Sequence, residues 1–516
     1  CRTGPTPVKE AEDLVDFLEA RPNNNYFERC EVMARADNKL VKEGRYIAPS
    51  FEIVKWGGSS TRPGHSVRSQ DELLEAFKSG DLRMALVVAR GGMGKSMLAK
   101  SFEARACRHM PVFSLDANED ILPVFRTLER GENALMKRIR EMSYIGDEPE
   151  ALGRFEHLLN HSPWILLVDS LDELGLKQRP MVLSQLKQVL EKYSNGLRLV
   201  VFARPPVFAS NYELEGINTT LKIRELDCDR TRERILAVFG TEEKASEFWS
   251  FLDALGLARK VHSDDHCIYP QMATYRDINV VVTLAENAFL NPSNLGEPDA
   301  ISSTRAALYN HFVDGYISGV ARNTGFSKET VDELIKVMVE KAEPDAATRD
   351  IAFGMEDCTK VLATKITENM DKGCEKIFGS KLFKKHKLEE RWRFQNQSVT
   401  DYFLARWMNM QLADEALGGC SRVTSMWRLF ESNEVAGFLV GMDQGASCLS
   451  EIFMQLCING ANFGDTLSLM DQGLPPDSRR AASLDAVRKQ SKEKFSNQCF
   501  RELVSGLELA APVEAR

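Results

Sequence analysis

The chain has 516 residues, is 43% hydrophobic and 27% charged, and carries a formal net charge of −9 at pH 7. That length suits three or four domains with ordinary cores, and the acidic balance argues against a general nucleic-acid or anionic-membrane binder. The 11 cysteines contain no C-x-x-C pair, which reads as reduced thiols in a cytosolic, cytoplasmic protein, and no apolar run reaches the length of a membrane span.

The chain begins at Cys1 with no methionine and no visible signal peptide, which reads as a fragment or processed product. Residues 1 to about 55 are mixed and mostly helical: Ala11, Leu14, Val15 and Leu18 fall at helical spacing before Pro22-Asn23-Asn24-Asn25 breaks the pattern. No nucleophile or metal constellation stands out there. Residues 57–66, GGSSTRPGHS, read as a flexible connection. The core starts near Ser69, with a short amphipathic helix from Asp71 to Lys78 closed by Gly80.

A strand over Met84–Ala89 then runs into a glycine-rich turn, so that Leu82 to Met97 reads LRMALVVARGGMGKSM. The spacing is that of a phosphate-binding loop, G-x-x-x-x-G-K-[ST], with Ala89 in place of the first glycine. Ala89, Arg90, Gly91, Gly92, Met93, Gly94, Lys95, Ser96 and Met97 therefore form the candidate nucleotide cradle. Gly91, Gly92 and Gly94 let the backbone turn its N–H groups inward to phosphate oxygens. Lys95 reaches the β- and γ-phosphates, and Ser96 is a ligand for Mg²⁺. The helix that starts near Lys95 adds its positive dipole end.

A strand over Pro111–Leu115 comes next, then the wholly apolar run Trp164–Val168, as expected where both faces of a parallel sheet are covered. Asp169 ends that strand at the edge where α/β proteins bind ligands and is the second candidate for holding Mg²⁺. Asp172 and Glu173 follow, placed to orient or deprotonate an attacking water. Leu183, Leu186, Leu190 and Tyr193 share a helix face that stops at Gly196. A strand over Leu199–Phe202 leads to Ala203-Arg204-Pro205, where Arg204 can report the γ-phosphate, and a last strand covers Thr220–Ile223. Strands alternating with helices predict a parallel, doubly wound five-stranded sheet.

After Leu226 the pattern turns helical. His262, His266 and Cys267 lie close together, but their spacing suits a polar loop better than a zinc site. The basic run Lys381 to Lys387 reads as a solvated turn and not as a DNA-reading element. No leucine-rich, ankyrin or tetratricopeptide period is present. No guanine-reading N-K-x-D motif appears, which favours adenine.

Together, a strand ending in aspartate, a small-hydrophobic-Asp-Glu turn and a strand ending in Arg-Pro resemble the NACHT-type NTPases, a group within the signal-transduction NTPases with numerous domains. Members usually read D-G-L-D-E, and Ser170 stands at the glycine. Phe394 to Ala405, FQNQSVTDYFLA, is similar to the family's F-x-H-x-S-x-x-[DE]-Y-x-x-A pattern, with Asn396 at the histidine. Ser303 to Tyr309 resembles a helix opening common in bacterial members. The resemblance covers roughly residues 40 to 440.

It implies an N-terminal helical segment and linker (1–68), a P-loop NTPase core (69–225), a helical lid (226–324), a winged-helix domain (325–410) and a C-terminal helical domain (411–516). It implies ATP/ADP and Mg²⁺ as cofactors, with Asn396 toward the β-phosphate. The lid proline near adenine falls at Pro270, or at Tyr275-Arg276-Asp277, which lacks it. The activity implied is slow ATP hydrolysis that drives opening and homo-oligomeric assembly on an unknown protein or ligand trigger, in signalling or antiphage defence. A nucleotide-bound scaffold without significant hydrolysis and an AAA-type remodelling ATPase are the alternatives.

Overall fold

The computed structural model of the chain describes residues 14, 16–18, 26–42, 46, 48–55, 67–89, 92–129, 131–146, 148–171, 174, 178–204, 219–224, 226–254, 258–262, 265–268, 274, 276–282, 305–341, 352–363, 370–380, 382–385, 391–394, 397–414, 416, 418–423, 425, 426, 433–448, 451 and 452. Its contacts divide it into two compact units, Cys1–Glu225 with Glu233–Gly240, and Leu226–Arg232 with Thr241–Arg516.

The first unit is built on a six-stranded sheet of β1 (Phe51–Lys55), β2 (Met84–Val88), β3 (Val112–Asp116), β4 (Trp164–Asp169), β5 (Leu197–Ala203) and β6 (Thr220–Ile223). The order across the sheet is β1-β6-β2-β5-β4-β3. Strands β2 to β6 pair in parallel. The five-strand expectation is corrected by β1, which lies antiparallel on β6 in a region read as mostly helical. Five residues with Phe51 buried and Glu52 exposed give a weak two-residue alternation, and only the pairing with β6 reveals the strand.

All six side chains of β4 are buried, and Ala85, Val87, Leu199, Val200 and Val201 are also fully enclosed. Helices cover the sheet: α1 (Tyr26–Lys42), α2 (Gln70–Lys78), α3 (Lys95–Ala106), α4 (Ala134–Met142), α5 (Pro149–His161) and α6 (Gln178–Lys192). Local chemistry sets their starts. Ser69 and Glu72 form a reciprocal capping box on α2. The Asn133 side chain accepts from Leu135 and Met136 backbone N–H groups on α4, and Pro149 opens α5. The N-terminal segment is tied to the sheet through Tyr26. Its hydroxyl accepts from the Val112 N–H at 3.0 Å and donates to the Met110 carbonyl at 3.3 Å.

The second unit holds α7 (Cys228–Phe239, divided between the units), α8 (Glu242–Ala254), a hairpin of β7 (Ala258–His262) and β8 (Asp265–Ile268), then α9 (Arg305–Thr324) and α10 (Lys328–Lys341). The segment carrying His262, His266 and Cys267 is thus a two-stranded hairpin and not a loop. Further on come β9 (Ala352–Gly354), α11 (Met355–Leu362), α12 (Met370–Phe378), β10 (Phe383–Lys385), β11 (Arg391–Phe394), α13 (Gln397–Ala413), α14 (Asn433–Val440) and α15 (Asp443–Ser447). Strands β10, β11 and β9 form an antiparallel sheet. The basic run is corrected accordingly: Phe383–Lys385 is a strand, because Phe383 is buried against Phe394 and Phe353 while Lys385 faces out.

The core of this unit carries a buried charge cluster. Arg305, 1% exposed, donates to Asp277 at 3.0 Å and to Glu434, with its guanidinium over the Phe438 ring at 4.6 Å. Thr274 donates to the other Asp277 oxygen at 2.6 Å. The cluster joins residues far apart in sequence, so removing the single cation strands two buried carboxylates.

Among the described residues, three cysteine pairs stand against the reduced-thiol expectation: Cys30–Cys107, Cys358–Cys374 and Cys420–Cys448 are disulfide partners with Cα–Cα separations of 5.9, 6.0 and 5.2 Å. Sequence separations of 77, 16 and 28 hide these pairings from any spacing rule. Among the described residues no helix is long and apolar enough to cross a membrane.

Tyr26→Phe leaves the buried Val112 N–H without its acceptor, and chemical denaturation is expected to show a loss of about 1–3 kcal/mol. Arg305→Met is expected to cost about 3–5 kcal/mol in the same measurement. An unchanged midpoint for the latter would mean the cluster is neutral to stability.

Candidate functional site

The carboxyl ends of β2, β3, β4 and β5 meet at one edge of the parallel sheet. At the end of β2, Ala89 is 2% exposed and its N–H donates to the Ala203 carbonyl on β5 at 3.1 Å. A glycine at this position would have no conformational role visible here, so the alanine fits as a buried extension of the strand. Gly92 and Gly94 take φ values of +79° and +84°, conformations that L side chains rarely adopt. Gly94 is the N-cap of α3, and its carbonyl accepts the Leu98 N–H at 2.8 Å. Met93 is buried, Met97 is half-buried, and Lys95 and Ser96 open the helix. The Lys95 Nζ donates back across the loop to the Ala89 carbonyl at 2.9 Å.

Facing this turn is Asp169, 8% exposed at the end of β4. Burial raises its carboxyl pKa to about 6; hydrogen bonding from Ser96, the Lys95 charge and the Ser170 backbone N–H oppose the rise, and nearby Asp116 reinforces it. The loop and the acidic strand end, 74 residues apart from Lys95 to Asp169 by numbering, are thus in electrostatic contact. Strand β5 pairs with both β2 and β4, so buried Arg204, just beyond β5, stands on the strand between them. Arg90, Gly91, Asp172, Glu173, Pro270 and Asn396 lie outside the described residues.

Asp116 is a site residue that the motif reading missed. It ends β3 directly opposite Asp169 in the sheet register. Its Oδ1 accepts from the Asn118 and Glu119 N–H groups at 2.9 and 2.8 Å, and its Oδ2 accepts from the Ser170 hydroxyl at 2.7 Å. Burial raises its pKa above the usual carboxylate value, with the Ser170 hydrogen bond pulling the other way. The available signal was a second strand ending in aspartate, VFSLD beside WILLVD. Ser170 itself has φ +60°, a left-handed conformation costing about 1–2 kcal/mol for a residue with a Cβ. That is the position where the D-G-L-D-E pattern has glycine.

Chemically, the edge presents a glycine turn, a helix N-terminus and a lysine on one side and the carboxyls of buried Asp169 and half-buried Asp116 on the other. Anionic phosphate suits the first group, and a hard divalent cation suits the hydroxyl and carboxylate oxygens of Ser96 and Asp169.

No protein-family model matches this chain, and no curated protein matches it. Solved structures similar to it include a Walker-type ATPase of Pyrococcus abyssi, at 13% identity and TM-score 0.30, covering 65% of this chain and 94% of that one. The Orc1 protein of Aeropyrum pernix in complex with DNA aligns at 12% identity and TM-score 0.31, covering 65% and 91%. Cdc6p of Pyrobaculum aerophilum aligns at 10% identity and TM-score 0.30, covering 68% and 96%. Likenesses at TM-scores this low bear no weight, and function rests on the geometry of the sheet edge.

Because the Asp169 pKa lies above its usual 3.8, folding favours the protonated carboxyl. Its contribution is fully present below about pH 4 and is lost as pH rises through about 6. Asp169→Asn cannot ionise. Nucleotide-free Asp169→Asn is therefore expected to exceed the unmutated chain in stability by up to roughly 3 kcal/mol at pH 7.5, with the two converging near pH 4. Equal thermal midpoints at pH 7.5 would contradict the burial of a charged Asp169.

Proposed function

We propose that the protein is a P-loop nucleoside triphosphatase that binds ATP with Mg²⁺ and hydrolyses it. The observation that carries this reading is the contact of Ser96 and Lys95, on a turn with left-handed Gly92 and Gly94, with the buried Asp169 of β4. Gly92, Gly94 and the first amides of α3 would receive the phosphate oxygens, and Lys95 would leave the Ala89 carbonyl to pair with the β- and γ-phosphates. Ser96 and Asp169 fit Mg²⁺ by donor type and charge. When bound, that ion neutralises charge that develops on the phosphoryl oxygens. Asp172 and Glu173 would orient the attacking water, and Arg204 would contact the γ-phosphate in cis.

The narrower reading is a nucleotide-driven switch of the NACHT type. It uses the division 69–225 core, 226–324 lid, 325–410 winged helix and 411–516 helical domain, with Pro270 and Asn396 toward the nucleotide. The three-stranded β10-β11-β9 sheet among helices α10 to α13 supports the winged-helix part of that division. A switch requires that ATP and ADP bind two conformations with different affinity, and assembly as a homo-oligomer would follow opening. An AAA-type remodelling ATPase shares the same phosphate site but needs an arginine from a neighbouring copy. Arg204, just beyond β5 and between β2 and β4, would serve the switch as a cis arginine, and the same strand order suits an AAA-type core equally.

Lys95→Ala is expected to weaken ATP·Mg²⁺ binding about 100-fold, close to 3 kcal/mol by calorimetry. Glu173→Gln is expected to retain binding while slowing turnover about 100-fold. Unchanged affinity in Lys95→Ala would sink the site. Turnover per chain should not vary with protein concentration for a cis arginine, whereas a rise with concentration would favour the remodelling class.

A further inference from the structure

We propose that Asp116 is a positioning residue for nucleotide hydrolysis, fixing Ser170 in its left-handed conformation and, through Ser170, the Asp169 carboxyl. The inference rests on the nucleotide-binding reading of the site. It starts from a sequence oddity: the position after the strand-ending aspartate needs φ +60°, and the residue there is serine. Glycine adopts that conformation freely, whereas serine needs a compensating interaction.

The compensation is visible. The Ser170 hydroxyl donates to Asp116 Oδ2 at 2.7 Å in a partly buried bond, with Ser170 itself 7% exposed. In this conformation the Ser170 backbone N–H acts on the Asp169 carboxyl, on which the Ser96 hydroxyl also acts. Asp116 is held in turn by the Asn118 and Glu119 amides on its other oxygen and by the β3–β4 register, so it is a rigid support. The Asp120 carboxylate accepts the Asp116 N–H at 3.0 Å and is paired with Arg138 at 3.0 Å, which extends the support to α4. The chain of contacts thus runs from Asp116 through Ser170 to Asp169 and Ser96. The hydrogen bond from the Ser170 hydroxyl is the route by which Asp116 acts on the reaction.

This arrangement separates two roles of Ser170 that substitutions can tell apart. Ser170→Ala removes the hydroxyl and keeps the conformational cost. Ser170→Gly removes both. Steady-state ATPase kinetics and ATP affinity of the full chain are expected to show kcat about tenfold lower in Ser170→Ala with nucleotide affinity unchanged, and Ser170→Gly close to the unmutated chain. Asp116→Ala should lose turnover, and Asp116→Ala/Ser170→Gly should recover most of it. Melting of the nucleotide-free proteins should place Ser170→Gly above Ser170→Ala.

Ser170→Ala with normal kcat, Ser170→Gly as impaired as Ser170→Ala, or a double variant no better than Asp116→Ala would each overturn the role of Asp116 while leaving the nucleotide reading intact. An unmutated chain that binds no ATP would overturn the nucleotide reading, and with it this role.

Discussion

Parallel pairing is the constraint on which the rest of this structure depends. Five strands that run the same way deliver all their carboxyl ends to one edge, and the order β6-β2-β5-β4-β3 decides which ends are neighbours. The chain leaves β2 for the far edge, returns through β4 and β5, and then crosses to the other side of β2. That reversal opens a crevice beside the glycine turn. The one-to-one register of β3 with β4 sets half-buried Asp116 against Asp169, and full burial of β4 holds Asp169 where water screens it poorly. Two carboxyls in such surroundings are costly for the fold in isolation. In the proposed nucleotide site, that cost would be offset when positive charge is recruited beside them.

Much of this edge was legible from sequence because its signals are local. The glycine spacing, the lysine and the apolar run before Asp169 each depend on a few consecutive residues, and the strands Met84–Val88, Trp164–Asp169 and Thr220–Ile223 fall close to where alternation and apolar runs placed them. What was illegible is non-local. Strand β1 exists because β6 offers it an edge. Asp116 matters because a register 53 residues long in sequence brings it to Asp169. The disulfide partners were hidden for the same reason, and so was the Arg305 cluster, whose residues range from Thr274 to Glu434. Ser170 is an intermediate case: the departure from glycine was visible, but the hydroxyl bond that permits it was not.

The second unit is organised differently. Its centre is a guanidinium wedged between two carboxylates and an aromatic ring, with Tyr309, Tyr402 and Phe438 packed around it. A buried ionic centre of this kind discriminates sharply between well-aligned and misaligned packings, because a shifted partner leaves a charge unmatched. Elements around 277, 305 and 434 therefore behave as one mechanical piece, and conformational change within this unit is cheaper elsewhere. Strands β10 and β11 use aromatic stacking instead, with Phe378, Phe383, Trp392, Phe394 and Phe403 in successive ring contacts.

On the proposed reading, the bond from Lys95 to the Ala89 carbonyl would have a kinetic consequence. The Ala89 carbonyl gives the Lys95 ammonium an internal acceptor beside the electropositive first amides of α3. In the proposed nucleotide site, the side chain would exchange the Ala89 carbonyl for a phosphate oxygen, one acceptor for another. Arrival then yields less than the full value of a new ionic contact, and departure costs correspondingly less. On the proposed reading, such a loop would trade tenacity for reversibility, so that its occupancy could track the supply of nucleotide.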